Sequence, residues 1–287
     1  MSKTDCTLQQ ELVNGEQGGC VSTLDRGLLF GDGVFETIAV QANRPRFWAR
    51  HMARLQAGCQ RLGIPAVDES CLLAEAGLLL ADAASGQDHV LKIIVTRGPG
   101  SRGYRPDRSA VPTRILQLHA WPDMPAGDDG IRATMCALRL GNNPQLAGIK
   151  HLNRLEQVLA RAEWDDDGIR EGLLLDQAGR VIEGTMSNLF LVKDGVLLTP
   201  DLTRCGVAGI RRDIVLELAR QSGLSTQVRD ITHDRLLQAD ELFVCNSLIG
   251  IWPVIALNAN RFPKGPVTAG LQSALRTHDD DRHTWRA

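Results

Sequence analysis

Residues 121–130 (WPDMPAGDDG) constrain the fold of this chain more than any other stretch. Two prolines, two glycines and three aspartates fall within ten positions. Proline can neither continue a helix nor donate to a strand ladder, and glycine and aspartate favour turns, so no regular element runs through it. Strand-like and helix-like patterns occur on both sides. The stretch therefore reads as a linker at 121–130 between an N-terminal domain at 1–120 and a C-terminal domain at 131–287. A chain of 287 residues is long enough for two modest cores. Both halves mix strands and helices, with several hairpin turns, which implies an α/β (mixed α+β) protein rather than a doubly wound sheet. No G-x-G-x-x-G follows a first strand, which argues against a dinucleotide fold.

In the first half, residues 8–24 alternate weakly around Asn14-Gly15 and Gly18-Gly19, as in a small hairpin. Gly31-Asp32-Gly33 interrupts the apolar run DRGLLFGDGVFETIAV, and 34–40 is strand-like. Residues 47–62 read as a helix with Trp48, Met52, Leu55, Cys59 and Leu62 on one face and Gly63 as its stop. His51 and Arg54 lie one turn apart on a neighbouring face, where an arginine ordinarily lays its stem over apolar surface and keeps its head in water. A second helix at 70–84 precedes a strand at 89–98. Lys92 inside that strand either sits at a rim or points into a polar cavity. Residues 99–112 form a Gly/Pro/Arg-rich loop in which Arg102 and Arg105 bracket Tyr104. Another strand covers 114–120.

The second half begins with a strand at 131–138. The loop RLGNNPQLAG leads to Lys150 and a helix at 151–164, with Leu152, Leu155, Leu159 and Ala162 as its stripe. The acidic run Asp165-Asp166-Asp167-Gly168 caps and turns that helix. Strands follow at 172–176 and 181–192, the second containing EGTMSNLF. A hairpin turn at Lys193-Asp194-Gly195 and a strand at 196–199 come next. A Gly-rich loop feeds a helix from Ile210 to about Gly223. A strand at 239–244 ends in the polar turn Cys245-Asn246-Ser247. One short helix and the charged tail HDDDRHTWRA, read as frayed, complete the chain.

Bulk properties exclude several function classes. A net charge of -2 gives no electrostatic hint of nucleic acid or an anionic membrane. No apolar run approaches the ~20 residues of a membrane span. The first ten residues, MSKTDCTLQQ, lack the apolar core of a signal peptide. The seven cysteines are odd in number and none forms a C-x-x-C pair, so neither a metal site nor a disulfide framework is expected. Reduced thiols and a cytoplasmic location follow.

Only five lysines are present, at 3, 92, 150, 193 and 264. An amine that condenses with a carbonyl compound must be able to lose its charge in a partly buried site. Lys3 falls in an expected disordered terminus. Lys193 and Lys264 sit in turns beside Gly or Pro. Lys92 lies mid-strand, and Lys150 lies where a loop meets a helix, behind Gly148. Two readings of Lys150 stay open at this point: a reactive amine, or a helix N-terminal lysine in water. A phosphate would want a helix N-terminus and an arginine, and Ala208-Gly209-Ile210-Arg211 offers a Gly-containing loop entering a helix. A pyridinium nitrogen would want a carboxylate, for which Glu183 is a candidate; the other reading of Glu183 is a strand-end acid in water.

Together the stretches DRGLLFGDGVFET, FWARHMARL, IKHLNRLEQV, IEGTMSNLF, GVAGIRRDI and ADELFVCNS, in this order, resemble the fold-type IV pyridoxal-phosphate enzymes. That group includes branched-chain and D-amino acid aminotransferases and 4-amino-4-deoxychorismate lyases. The resemblance runs from Asp25 to about Pro253. Within the group, RLGNNPQLAGIKHLNRLEQVLARAEW and TRGPGSRGY look most like the lyase branch. The aminotransferases typically carry Asn-Tyr or apolar residues where this chain has Asn153-Arg154. Glu36 does not discriminate.

The resemblance implies two α/β domains with pyridoxal 5'-phosphate between them, and a homodimer whose sites borrow from the partner; a loop borrowed in that way would make residues 98–108 part of the other site. It implies Lys150 as the lysine bound to the cofactor. Arg54 would bind the phosphate, with backbone N–H groups of Ile210 and Arg211 and a polar contact from Ser247 or Asn246. Glu183 would pair with the pyridine nitrogen. The implied reaction converts 4-amino-4-deoxychorismate to 4-aminobenzoate and pyruvate, a step of folate biosynthesis. Lys150 would be the base and Thr37 an acid or positioning group. Lys92, Arg97, Arg102 and Arg154 form the pool for the substrate's two carboxylates, with Asn153 beside them. The alternative on the same fold is an amino acid aminotransferase.

Overall fold

The computed structural model describes residues 7–84, 86–107, 109–123 and 127–280. Two compact units emerge: residues 7–123 with Ile149–Asn153, and residues 127–148 with 154–280. Each combines a sheet with helices, so the mixed α/β class expected from the sequence holds.

The first unit contains β1 (Leu8–Val13), β2 (Glu16–Gln17), α1 (Arg26–Phe30), β3 (Gly33–Gln41), β4 (Arg44–Pro45), α2 (Trp48–Leu62), α3 (Glu69–Ala81), β5 (His89–Thr96) and β6 (Thr113–Ala120). Its antiparallel sheet runs β2-β1-β6-β5-β3-β4. Side chains alternate across a strand. Val34, Ile38 and Val40 of β3 therefore join Leu91, Ile93 and Val95 of β5 and Leu116 and Leu118 of β6 in one core. Trp48, Met52, Leu55 and Cys59 of α2 and Leu72, Ala76 and Leu79 of α3 close it. Gly63, at φ 65°, ends α2 with its N–H on the carbonyls of Cys59 and Gln60.

The second unit contains β7 (Ile131–Leu140), α4 (Leu155–Arg161), β8 (Ile169–Asp176), β9 (Val181–Gly184), β10 (Asn188–Lys193), β11 (Val196–Pro200), α5 (Ile210–Gln221), β12 (Thr226–Arg229), α6 (His233–Leu237), β13 (Glu241–Asn246), β14 (Gly250–Leu257), β15 (Asn260–Arg261) and α7 (Pro266–Asp280). Its sheet runs β12-β11-β10-β13-β14-β7-β8-β9 with β15 beside β14. Pairing of β9 with β10 as well as β8 closes the middle of the sheet on itself. The pairs β14–β7, β7–β8 and β11–β12 are parallel and the others antiparallel.

Several local expectations are corrected. The helix read over 151–164 spans only Leu155–Arg161. Lys150–Leu152 is extended instead, because its backbone pairs with β3: Phe35 N–H donates to the Lys150 carbonyl at 2.9 Å and Leu152 N–H to that of Gly33 at 3.0 Å. That pairing also puts Lys150 with the first unit, where the sequence reading assigned it to the second. The apolar stripe of α4 faces outward, with Leu155 75% exposed. The strand read over 181–192 breaks at Thr185–Ser187 into β9 and β10. Asn246 ends β13 rather than lying in a turn beyond it, and β14 has no counterpart in the sequence reading. Lys3 and the tail beyond residue 280 lie outside the described residues, as do 124–126 of the linker.

Candidate active site

In the first unit the site is built on β3. Glu36 alternates with Val34 and Ile38 and so points to the core side, where only α2 can satisfy it. His51 and Arg54, three residues apart on α2, do so. Glu36 Oε2 accepts from His51 Nδ1 at 2.6 Å and from Arg54 Nη2 at 2.5 Å, while Oε1 accepts from Arg54 Nε at 2.8 Å. Glu36 and His51 are each 1% exposed. Burial alone would raise the Glu36 carboxyl; hydrogen bonds from Arg54 and then His51 outweigh it and bring it down to about 2. Burial pushes His51 below its ordinary value despite the Glu36 carboxylate, and the charges of Arg54 and Lys150 push the same way.

A depressed carboxylate stabilises the fold above its unfolded pKa and stops doing so as pH falls through its folded one. Glu36 therefore contributes on the order of 3 kcal/mol above pH 4.5, and this is lost on acidification between 4.5 and about 2. Urea unfolding over that range should show the loss, and the Glu36→Gln variant should show a flatter acid limb. Equal acid limbs in the two proteins would refute it.

The opposite face of β3 carries Phe35 and Thr37, both half-buried. The Lys150 ammonium lies 4.4 Å from the Phe35 ring centroid and that of Lys92 lies 5.9 Å from it, distances at which a cation is held by the ring face. Thr37, Lys92 and Gln117 stand directly opposite one another on β3, β5 and β6. The first unit thus gathers Lys150, Lys92 and Thr37 on the Phe35 face of β3 and holds Arg54 on Glu36 at the other face.

Arg97 and Asn153, also expected at the site, are used elsewhere. Arg97 is 4% exposed. Its Nε and Nη2 grip Asp32 at 2.7 and 3.0 Å, and Nη1 and Nη2 donate to the carbonyls of Gly63 and Leu62. It braces the Gly31–Gly33 turn against the end of α2, which corrects its place in the carboxylate pool. Arg26 takes the same Asp32 carboxylate at 2.9 Å and donates to the carbonyls of Gly103 and Tyr104, pinning the loop after β5. Burial would raise Asp32, but the hydrogen bonds from Arg97 and then Arg26 hold it below the usual range. Arg102 is exposed on that loop. Asn153 donates through Nδ2 to the Gly31 carbonyl at 3.0 Å and so ties the Lys150 segment to the same turn.

In the second unit, Glu183 is 4% exposed on β9. Its Oε2 accepts from Val207 N–H at 2.8 Å, and Asn188 Nδ2 donates to the Val207 carbonyl at 2.8 Å. Gly148 completes the grip, donating to Gly206 and accepting from Ala208. This strap delivers the chain to α5, whose N-cap is Gly209 and has no side-chain cap. A Cβ at Gly209 would stand 2.0 Å from Asn188 Oδ1, so a side chain there would displace the Asn188 amide from the Val207 carbonyl. The first-turn N–H groups of this 12-residue helix belong to Ile210, Arg211 and Arg212, that of Asp213 already donating to the Gly209 carbonyl. Arg211 is 5% exposed and its Nη2 reaches the Ser247 carbonyl at 3.5 Å. Asn246 is committed to the turn that follows β13: Oδ1 accepts from Leu248 and Ile249 N–H, and Nδ2 donates to the Met186 carbonyl. Burial lowers Arg154, and the nearby carboxylates of Glu183 and then Glu156 oppose it, which places Arg154 in the field of Glu183.

Sequence reasoning gave no role to Glu36, Asn188 or Glu171. The last is fully buried on β8 and holds the Thr185–Ser187 turn through both residues' hydroxyls and the Thr185 N–H. An acid at a core-facing position of an alternating strand was the available signal for Glu36; nothing in the local pattern marked the other two. No cluster of metal-ligand type occurs among the described residues, and no helix among them is long and apolar enough to cross a membrane.

Comparison with known proteins assigns this geometry to a family. The chain is 39% identical over 272 residues to an aminodeoxychorismate lyase of Vibrio harveyi, covering 92% of this chain and 99% of that protein. The crystal structure of 4-amino-4-deoxychorismate lyase from Pseudomonas aeruginosa superposes with a TM-score of 0.89 at 49% identity, over 95% of this chain and 100% of that one. A branched-chain amino acid aminotransferase from T.th., complexed with N-(5'-phosphopyridoxyl)-L-glutamate, matches with a TM-score of 0.84 at 25% identity, over 97% and 96%. The family model described as amino-transferase class IV matches residues 33–257, from the first residue of β3 to the last of β14, and the chain belongs to that family.

Proposed function

We propose that this chain is a pyridoxal 5'-phosphate-dependent carbon–oxygen lyase that converts 4-amino-4-deoxychorismate to 4-aminobenzoate and pyruvate. The observation that carries the reading is the likeness to two aminodeoxychorismate lyases, at 39% and 49% identity, over nearly the full length of each. The donor set fits the cofactor. The first unit supplies a half-buried lysine and a guanidinium, and the second a buried carboxylate and a glycine-capped helix start, groups of the kinds that an amine-binding aldehyde, a phosphate and a pyridine nitrogen require. When bound, pyridoxal 5'-phosphate supplies an electron-withdrawing ring conjugated to the substrate's amine-bearing carbon.

The residues then take these roles. Lys150 would hold the cofactor and would be set free when the substrate amine takes its place. Its freed amine takes the proton from the amine-bearing ring carbon. Glu183 keeps a proton on the pyridine nitrogen, and its own orientation is set by Val207 N–H. The electron pair from the broken C–H bond would form the new ring double bond as the neighbouring C–O bond breaks, the ring becoming aromatic and the enolpyruvate leaving with the C–O pair to take up a proton at carbon and give pyruvate. Thr37 positions or protonates the leaving group. Lys92, across the strand pair from Thr37, meets a substrate carboxylate, with Arg102 and Arg154 as further cations. Arg54, the N–H groups of Ile210 and Arg211, and Ser247 serve the cofactor phosphate.

The deciding experiment incubates the purified protein with 4-amino-4-deoxychorismate and follows 4-aminobenzoate and pyruvate, alongside an amino donor with a keto acid. Equimolar products without amino transfer are expected. Amino transfer with no 4-aminobenzoate would sink the reading in favour of an aminotransferase. Free cysteines at every described position are in keeping with a cytoplasmic home. A homodimer is favoured by the exposure of Leu24, Leu28 and Leu29 at α1, and light scattering should give about twice 31.3 kDa; a mass near 31.3 kDa would reject it.

A further inference from the structure

We infer that Glu36 and His51 are positioning residues, which hold the Arg54 guanidinium in the orientation in which it receives the cofactor phosphate. The inference rests on the reading of Arg54 as a phosphate ligand and adds two residues to it.

Three observations carry it. First, the carboxylate takes one whole edge of the guanidinium: Oε1 meets Nε and Oε2 meets Nη2. Two parallel bonds to a planar group fix its plane as well as its position. Second, His51 holds the carboxylate from the side. Its Nδ1 reaches the same Oε2 that serves Arg54 Nη2, so rotation of the Glu36 carboxylate would break both contacts. Third, the group is charge-balanced. Glu36 is ionised above about pH 2, Arg54 is a cation, and burial disfavours a charge on His51. A neutral His51 donating through Nδ1 leaves the trio without net charge, so its contribution to phosphate binding is geometric.

A flexible arginine has many rotamers, and a phosphate that meets one must first order it. Packed between α2 and β3 with its acid 1% exposed, Arg54 is ordered beforehand. Arginine is the natural ligand here because the guanidinium can satisfy a carboxylate on one edge and an oxyanion on another. A lysine could not do so with fixed geometry.

The test compares dissociation constants for pyridoxal 5'-phosphate and for pyridoxal, which lacks the phosphate, on the full-length protein. The readout is the ratio of the two constants, which isolates what the phosphate adds. Arg54→Gln should lower the phosphate advantage. Glu36→Gln and His51→Leu should each lower it by about tenfold, equivalent to ~1.4 kcal/mol. The His51→Leu/Arg54→Gln double variant should fall no further than Arg54→Gln alone. His51→Asn, whose amide nitrogen can occupy the Nδ1 position, should recover most of the ratio. Should Glu36→Gln fail to fold, the two His51 variants carry the test.

Equal weakening of both ligands in His51→Leu would mean general structural damage and would overturn the inference, as would an unchanged ratio. A lowered ratio in Arg54→Gln with wild-type ratios in the Glu36 and His51 variants overturns this inference alone. A wild-type ratio in Arg54→Gln overturns the phosphate reading of Arg54 and this inference with it.

Discussion

Replacing Lys150 with alanine should abolish both borohydride-stable attachment of pyridoxal 5'-phosphate and the visible band of the bound cofactor. Turnover should fall by at least ~10²–10⁴-fold, the range of a lost proton-transfer group alone. The prediction is specific to Lys150 because a second amine shares the same ring. Lys92 lies 5.9 Å from the Phe35 centroid against 4.4 Å for Lys150. What separates them is the backbone. Lys150 sits on a segment paired to β3, with its carbonyl held by Phe35 N–H, so its amine is anchored from below. Lys92 stands in the middle of β5 opposite Thr37. The Lys92→Ala variant should therefore keep the trapped cofactor and lose substrate affinity, appearing as a raised KM. Peptide mapping after borohydride reduction reads the result directly. Label on Lys92 in the wild type, or unchanged turnover in Lys150→Ala, would refute the assignment.

Much of the fold was legible because its elements follow single periodicities. The stripe from Trp48 to Cys59 and the Gly63 stop gave α2, and the β-branched run around Lys92 gave β5. Failures came where tertiary pairing overrides local pattern. Residues 151–154 look helical in sequence, but the hydrogen bonds of Lys150–Leu152 go to β3, a partner more than a hundred residues earlier. The leucines of α4 resemble a buried stripe, yet they face outward, and periodicity alone cannot tell which surface covers an apolar face. The same distinction holds for the site. Lys150, Glu183 and the Gly209–Ile210 helix start stood out by residue type and position. The pairing of Glu36 with His51 and Arg54 did not, because it depends on register between a strand and a helix.

Arg97 is where register changes a role outright, and it gives the second large effect. Changing Arg97 to methionine should destabilise the protein by roughly 3 kcal/mol, the scale for removing one partner of a buried ion pair. Its side chain is 5% exposed, and it supplies four hydrogen bonds, two to Asp32 and one each to the carbonyls of Leu62 and Gly63. Arg26 remains on Asp32, so the acid keeps one cation and the cost stays below that of stranding it completely. The two carbonyls at the end of α2 lose their donor, and desolvated carbonyls without one are costly. Since Asp32 also anchors Arg26, and Arg26 pins the carbonyls of Gly103 and Tyr104, loosening should spread to that loop. Urea unfolding should therefore show a lower midpoint, and hydrogen exchange should show faster opening near Gly31–Gly33 and at Gly103–Tyr104. KM for the substrate should rise only a few-fold, through loosening of the loop that carries Arg102, because Arg97 itself has no edge left to offer a carboxylate. Wild-type stability with a KM raised by tens of times would place Arg97 in the substrate site after all.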